Sequence, residues 1–245
     1  MSRGGQIVTI ILRFLAAGLA AVMVFLILLF AIQFRNRRRA EELLRAVRVI
    51  HVGESTAQDV RNATRGFVAV SVPAYSSVCP TADSSYTVAV ANYTLNGLGM
   101  SFSALRRIGL EPWGVVTEFL FAQGRVCDFY YTLGLLRPNE WKQLKIGVEA
   151  PPTTPGVKAE PYYPHYVTGK IINFTTFIYP DATAEQRRRA FDFDLSCLTR
   201  IGGCTNVCEI IPSAWPDYVE KARERGFDLP PNELADNRCN KMQRP

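Results

Sequence analysis

The sequence predicts an α+β protein, in which an N-terminal transmembrane helix is followed by one antiparallel-sheet domain with helices at both ends. Two observations support this prediction. An uncharged and almost wholly apolar stretch runs from Phe14 to Phe34. Beyond it lie short segments rich in Val, Tyr and Thr, which is typical of strands. We therefore divide the chain into an anchor with a basic flank, residues 1–39, and an α+β domain, residues 40–245.

The apolar stretch is long enough to cross a lipid bilayer, because about 20 helical residues span the hydrocarbon core. A cleaved secretory signal has a shorter apolar region, roughly 7 to 15 residues, and ends at small residues. Here the stretch ends at Gln33 and Phe34 and is followed by Arg35. We expect no cleavage, and we predict that residues 14–34 contact the lipid bilayer.

The net charge of +6 does not indicate a nucleic-acid partner, because the surplus lies in the anchor. Residues 1–39 contain six arginines and no acidic residue, which leaves 22 basic and 22 acidic residues in the domain. A nucleic-acid-binding protein usually carries a basic surplus within its folded domain. We therefore predict no nucleic-acid binding.

Two signals disagree about the side of the membrane on which the domain lies. The arginines between Arg35 and Arg39 outnumber Arg3 and Arg13 on the other flank, and this favours a cytoplasmic domain. All six cysteines lie in the domain, and an even number of cysteines is typical of disulfide-bonded proteins from oxidising compartments. We expect a single-pass protein of the inner (plasma) membrane with an extracytoplasmic domain.

The six cysteines are predicted to form disulfides. Cys79 and Cys127 would pair across the sheet, and the other four would pair among themselves, namely Cys197, Cys204, Cys208 and Cys239. The alternative is a zinc site made by those last four thiolates in a cytoplasm-facing domain. Their spacing lacks the C-x2-C pairs typical of structural zinc, and neither histidine lies nearby. We predict no metal and no cofactor.

Local signals outline the elements of the domain. Four apolar residues at helical spacing extend the membrane helix as an amphipathic helix able to lie on the domain: Leu43, Leu44, Val47 and Ile50. Further helices are predicted at 56–65, 183–198 and 214–225, from capping patterns that start at Ser55, Thr183 and Ser213. Strands are predicted at 67–72, 86–93, 115–123, 126–133 and 170–179, with a hairpin turn at Gly124 and Arg125 and a loop at 151–164.

Asp192 and Asp194 match the D-x-D pattern with which nucleotide-sugar transferases hold a divalent cation. This pattern is the basis of a second hypothesis, a membrane-tethered, metal-dependent transferase. Both residues lie in the predicted helix 183–198, where side chains two apart face different directions, so the sequence favours solvated helix acids. No G-x-S-x-G, H-E-x-x-H or Walker pattern occurs. The catalytic residues stay unknown, and the absence of these patterns weakens the enzyme hypothesis.

Tyr162, Tyr163 and Tyr166 are the predicted contact residues, because tyrosines provide rigid amphipathic area at low entropy cost. The competing interpretation is a loop whose rings cover the domain's own core.

The stretch from Leu43 to Val60, with Gly53 and Ser55 before a helix, and the hairpin from Phe119 to Val126 resemble bacterial cell-envelope proteins. The closest named set is the small outer-membrane-assembly lipoproteins, although their lipid-bearing cysteine is absent here. The chain also resembles uncharacterised membrane-anchored bacterial proteins with a cysteine-containing C-terminal portion. The resemblance implies an envelope location and no activity. Our leading hypothesis is a membrane-anchored binding or scaffolding module with an envelope protein as its partner.

Overall fold

The structure, a computed structural model, describes residues 3–70, 79–92, 112–137, 140–149, 162–167 and 171–224, together with Ile108 and Leu110. Four helices lie in this part of the chain: α1 (Arg3–Arg48), α2 (Ala57–Ala63), α3 (Ala184–Ala190) and α4 (Trp215–Glu224). Seven strands form one sheet: β1 (Val68–Val70), β2 (Ser84–Ala91), β3 (Trp113–Ala122), β4 (Arg125–Arg137), β5 (Glu140–Glu149), β6 (Tyr162–Val167) and β7 (Ile171–Ile178). The α+β class is confirmed.

The sheet is mixed, so the prediction of an antiparallel sheet holds for only part of it. The strand order is β1-β2-β3-β4-β5-β7-β6, and β5 and β7 pair in parallel while all other neighbours are antiparallel. After β5 the chain first forms the outer strand β6 and then returns as β7 between β6 and β5. This exchange of the last two positions makes β7 run in the same direction as β5.

Helix α1 is one continuous helix, which confirms that the apolar helix extends onto the domain. Its section from residue 10 to residue 25 is exposed, whereas Ala40, Leu43 and Val47 are 0% exposed and belong to the domain core. The section from Ile10 onward is long and apolar enough to cross a membrane. The helix therefore combines a candidate membrane span with a core helix of the domain.

The core lies on one face of the sheet. Large side chains of the central strands point to this face and are almost fully buried, namely Trp113, Phe119, Phe129, Tyr131, Leu133 and Phe174. Rings that follow α3 contact two of them: Phe191 lies 6.5 Å from Phe129 and Phe193 lies 5.5 Å from Tyr131, between centroids. Residues of α1 and α4 belong to the same buried cluster, so one layer of helices covers one side of the sheet.

Two helix starts follow the predicted capping chemistry, one of them displaced by one residue. The Thr183 hydroxyl accepts from the Gln186 amide, and the Gln186 side chain accepts from the Thr183 amide, as predicted. At α2 the cap is Thr56 with Asp59, and the prediction of Ser55 with Gln58 was wrong. The Ser55 hydroxyl instead accepts from the amide of His51, because it lies in the turn before the helix.

The predicted helix 183–198 is wrong beyond Ala190. The chain leaves the helix after α3, and the amide of Asp194 donates to the carbonyl of Ile210 at 2.8 Å. The Asp194 carboxylate accepts from the amide of Ser196 at 2.8 Å. Short polar side chains that bond nearby backbone compete with helix formation, and a short 3-10 helix at Ser196–Thr199 follows.

The hairpin of β3 and β4 is confirmed, with its turn one residue earlier than predicted. Gln123 (φ 53°) and Gly124 (φ 73°) both have positive φ, as two-residue hairpin turns of type I′ require, and Arg125 already begins β4. The register shifts between Leu120 and Phe121, which leaves Cys127 opposite no residue of β3. Such a bulge redirects the side chain that it carries.

Strands β5 and β6 were not predicted. In β5 the buried positions alternate along the strand, but one of them is occupied by Lys142, which is 0% exposed. Because this residue is charged, the sequence does not show the apolar alternation typical of a strand. Residues 162–164, assigned to a loop, belong to β6, and Pro164 is tolerated there because β6 is an edge strand. Residues 71–72, 93, 151–161, 170 and 225 of the predicted elements lie outside the described residues.

The packing of α1 on the sheet can be tested with two single variants, each a change of valine to alanine. Val47 is 0% exposed and Val49 is 64% exposed, so we expect Val47→Ala to lower the free energy of unfolding by about 1 to 3 kcal/mol. The same change at Val49 should alter it by less than about 0.5 kcal/mol. Urea unfolding of the full chain in detergent, followed by tryptophan fluorescence, measures both, and equal effects would mean that α1 does not pack on the domain.

Candidate functional site

The contact between α1 and the domain begins inside the apolar stretch. Buried or half-buried positions recur every three or four residues along one face of the helix, namely Leu26, Leu29, Phe30, Gln33, Asn36, Arg37, Ala40, Leu43, Leu44 and Val47. This spacing keeps one side of a helix against a partner. The domain therefore contacts the last two turns of the candidate membrane span as well as the helix that follows it.

Leu110 and Trp113 mark the level at which the domain meets the apolar stretch. Leu110 is 0% exposed and packs against Leu29 and Phe30. The Trp113 Nε1–H donates to Gln33 Oε1 at 3.4 Å, and Gln33 is 1% exposed. Gln33 is the single polar side chain between Phe14 and Phe34, and its amide oxygen accepts a hydrogen bond from the domain.

Polar contacts hold the next section of α1 on the domain. Arg37 donates to Thr199 Oγ1 at 2.9 Å, and its Nε lies 3.2 Å from a carboxylate oxygen of Glu41. At the last residue of the helix, Arg48 donates to the carbonyl of Phe191. Because these arginines bond to residues far along the chain, they fix the rotation of α1 on the domain.

An open groove of about 740 Å³ lies where the apolar stretch ends; we call it the arginine groove. Its lining consists of Ala31, Phe34, Arg35, Arg38, Arg39, Glu42 and Gly66. The Arg38 guanidinium lies 4.6 Å from the centroid of the Phe34 ring, and Arg39 donates to the carbonyl of Gly66 at 2.6 Å. Gly66 has φ +93°, a conformation that favours glycine. Three cations therefore face one groove that contains a single carboxylate, that of Glu42.

The structure contains the predicted Cys79–Cys127 disulfide and a second one between two of the four cysteines that were predicted to pair among themselves. Cys79 is bonded to Cys127 with a Cα–Cα distance of 6.2 Å, and Cys197 is bonded to Cys204 with a Cα–Cα distance of 4.8 Å. The bulge in β4 carries Cys127, and Cys79 precedes β2. Closing a loop of 48 residues stabilises a fold by roughly 4 kcal/mol in the chain-entropy model.

The cysteine pairing bears on the zinc alternative. A four-thiolate site would need Cys197 and Cys204, and their sulfurs are joined to each other. None of the described cysteines is free, and Cys239 lies outside the described residues. No cluster of three or more potential metal ligands occurs within the part of the chain that the structure describes. Cys208 is also disulfide-bonded, and the disulfide role of Cys239 stays a prediction.

Asp192 and Asp194 lie in the turn that follows α3, and their carboxylates have different hydrogen-bond partners. Asp192 accepts a hydrogen bond from the Ser213 hydroxyl, and Asp194 bonds the amide of Ser196. Each carboxylate thus stabilises a local turn or the start of α4. The structure brings no third carboxylate or histidine of the described residues to them.

The three predicted contact tyrosines lie on the edge strand β6, with different environments. The Tyr162 hydroxyl donates to Asp217 Oδ2 at 2.7 Å and so connects β6 to α4. Tyr163 points to the other face of the sheet, where its ring stacks on His165 and Phe177 at 5.8 and 6.3 Å between centroids. Tyr166 is placed by its backbone pairing with Phe174, and its side chain lies outside the described part.

Asp217 is the centre of a polar network that sequence reasoning missed. Besides Tyr162 it accepts from Arg189 at 2.6 Å, and Arg189 also donates to the carbonyl of Ser213 at 3.2 Å. Burial raises the pKa of the Tyr162 hydroxyl above its usual range, and the adjacent Asp217 carboxylate raises it further. The residues lie up to 55 positions apart, so no short pattern could have revealed the network.

Comparisons of the chain with protein-family models, with curated proteins and with solved structures found no match.

The buried phenols predict a loss of stability in alkali. Burial raises the pKa of Tyr131, Tyr162 and Tyr218 in the folded protein, while the unfolded value stays at about 10. Their stabilising contribution is complete below pH about 10 and is lost as the pH rises towards the folded values. Brief urea titrations at increasing pH should show the midpoint falling above pH about 10; a constant midpoint would contradict this burial.

Tyr162→Phe tests the contact with Asp217. Loss of a hydrogen bond to a charged partner should lower the free energy of unfolding at neutral pH by about 1.5 to 3 kcal/mol. The matched control is Tyr86→Phe, because Tyr86 is also half-buried and its hydroxyl has no hydrogen-bond partner among the described residues. The control should change stability by less than about 0.5 kcal/mol, and the alkaline slope should decrease only in Tyr162→Phe.

Proposed function

We propose that this protein is a single-pass protein of a bacterial inner membrane, and that it holds a binding or scaffolding domain against the extracytoplasmic surface of the bilayer. The observation that carries the proposal is α1, one helix whose apolar section is exposed and whose following section is built into the domain core. A flexible tether would let a domain move away from the membrane. A continuous helix with core residues holds it at the surface.

The disulfides support the extracytoplasmic side. Structural disulfides persist in oxidising compartments and are rare in the cytosol, and two of them lie in the described part of the domain. The arginines after the apolar stretch favour the opposite side. However, Arg37, Arg39 and Arg48 bond to the domain, so these three have a role in the fold that is independent of membrane orientation.

A scaffolding role is favoured over catalysis because the candidate catalytic groups serve the fold. Asp192 and Asp194 bond to turn residues, so we do not advance the metal-dependent transferase. Tyr163 and Tyr166 remain the residues proposed to contact an envelope partner. Tyr162 is excluded from this set because its hydroxyl is bonded to Asp217.

Labelling of intact cells tests the orientation. In spheroplasts, a thiol reagent that cannot cross membranes should modify Asn62→Cys, because Asn62 is exposed on the domain. Ser2→Cys lies on the other side of the apolar stretch and should react only after lysis. The reverse pattern would place the domain in the cytoplasm, and recovery of the intact chain in the soluble fraction without detergent would remove the membrane span altogether.

The number of reactive thiols in the wild-type chain gives an independent test. We expect none to react with maleimide under denaturing, non-reducing conditions, and we expect one additional disulfide-linked peptide pair, Cys208 with Cys239, by mass spectrometry. Three or more reactive thiols would contradict the oxidising location. A prior reduction step is the positive control, after which all six cysteines should react.

A further inference from the structure

We propose that the arginine groove binds the phosphate of an anionic phospholipid in the membrane that α1 crosses. The inference rests on the proposed membrane span and adds a ligand to it. The groove is formed by the last turn of the apolar stretch, the next two turns of α1 and Gly66 after α2. It opens at the level where Leu110 and Trp113 bring the domain against Phe30 and Gln33.

The distances along α1 place the arginines in the headgroup layer. With a rise of about 1.5 Å per residue, Arg35 lies roughly 1.5 Å beyond Phe34, and Arg38 and Arg39 lie about 6 and 7.5 Å beyond it. The headgroup region of each leaflet is about 5 to 7.5 Å thick. Glu42 lies about 12 Å beyond Phe34 and hence outside this layer. Lipid phosphates therefore occur at the depth of the three cations and not at that of the carboxylate.

The four arginines directly after the apolar stretch have different partners, and those without a carboxylate partner among the described residues lie in the arginine groove. Arg37, on the domain side, is engaged by Glu41 and Thr199. Arg35 and Arg38 are exposed, and neither forms an ion pair with any carboxylate in the described part of the chain. Their guanidinium groups are available for an external anion. A guanidinium presents a planar set of donors that matches phosphate oxygens.

The shape of the groove holds its cations in position before an anion binds. The Arg38 guanidinium lies 4.6 Å from the centroid of the Phe34 ring. The Arg39 guanidinium lies 5.6 Å from the centroid of the Phe67 ring. Arg39 is further fixed by its bond to the Gly66 carbonyl. Cations that stack on aromatic rings lose less conformational freedom when they bind a ligand. The apolar wall of Ala31 and Phe34 continues into the bilayer, where acyl chains would follow.

The experiment compares lipids that remain bound to the purified full-length protein. The protein is reconstituted into vesicles of equal parts phosphatidylcholine and phosphatidylglycerol, released in mild detergent, and analysed by native mass spectrometry for the ratio of the two bound lipids. The wild type should retain phosphatidylglycerol in preference to phosphatidylcholine. Arg35→Gln/Arg38→Gln should lose this preference by roughly 25-fold, at about fivefold per arginine near an anionic surface.

The matched control is Arg45→Gln/Arg61→Gln. It removes the same charge from two exposed arginines outside the groove and should keep the wild-type preference. An equal loss of the lipid preference in both variants, or an unchanged preference in the groove variant, would overturn the site. The arginines would then attract anionic lipids only through their net charge. Arg35→Lys/Arg38→Lys should retain part of the preference.

Two further measurements distinguish a failure of the lipid site from a failure of the membrane span. Displacement of the bound lipid by inorganic phosphate at constant ionic strength would show a phosphate site and would overturn the assignment to a lipid. Flotation with vesicles of phosphatidylcholine alone tests the membrane span itself, because it requires no anionic lipid. If the wild type does not float, the proposed function and this inference both fail; if it floats without retaining phosphatidylglycerol, only the lipid site fails.

Discussion

The backbone hydrogen bonds of α1 run without interruption from Arg3 to Arg48, so its apolar section and its core section behave as one rigid body of about 69 Å. The core section buries Ala40, Leu43 and Val47 completely against the domain. Removing that section from the sheet would expose a large part of the domain core to water. The position of the domain relative to the apolar section therefore follows from the packing of the core.

This constraint gives two roles to one run of arginines. A helix buries one face, so residues of the same type that are one or two positions apart have different surroundings. Both Arg37 and Arg38 lie over the Phe34 ring, but Arg37 donates to Thr199 and pairs with Glu41, whereas Arg38 lines the groove. Composition alone describes both as a basic flank of the membrane span. Only the rotation of α1 on the sheet separates a structural arginine from one available to a ligand.

The candidate sites show where sequence reasoning succeeds. The Cys79–Cys127 pair was predicted from proximity in sequence, because the remaining four cysteines lie together between residues 197 and 239. The role of Asp192 was not, because the D-x-D spacing is identical whether the carboxylate binds a cation or the hydroxyl of Ser213. The contact role given to Tyr162 had the same weakness, since its partner Asp217 lies 55 residues away.

Elements with short-range signals could be predicted from the sequence alone: the apolar helix and its extension, the capping of α3 by Thr183 and Gln186, and the β3–β4 hairpin. Helical periodicity, caps and two-residue turns are interactions within about five residues, so they are visible in the chain itself. Only the folded structure shows the parallel pairing of β5 with β7, the edge strand β6 and the burial of Lys142. Each of these depends on which distant segments meet in the sheet, and local residue patterns do not encode that choice.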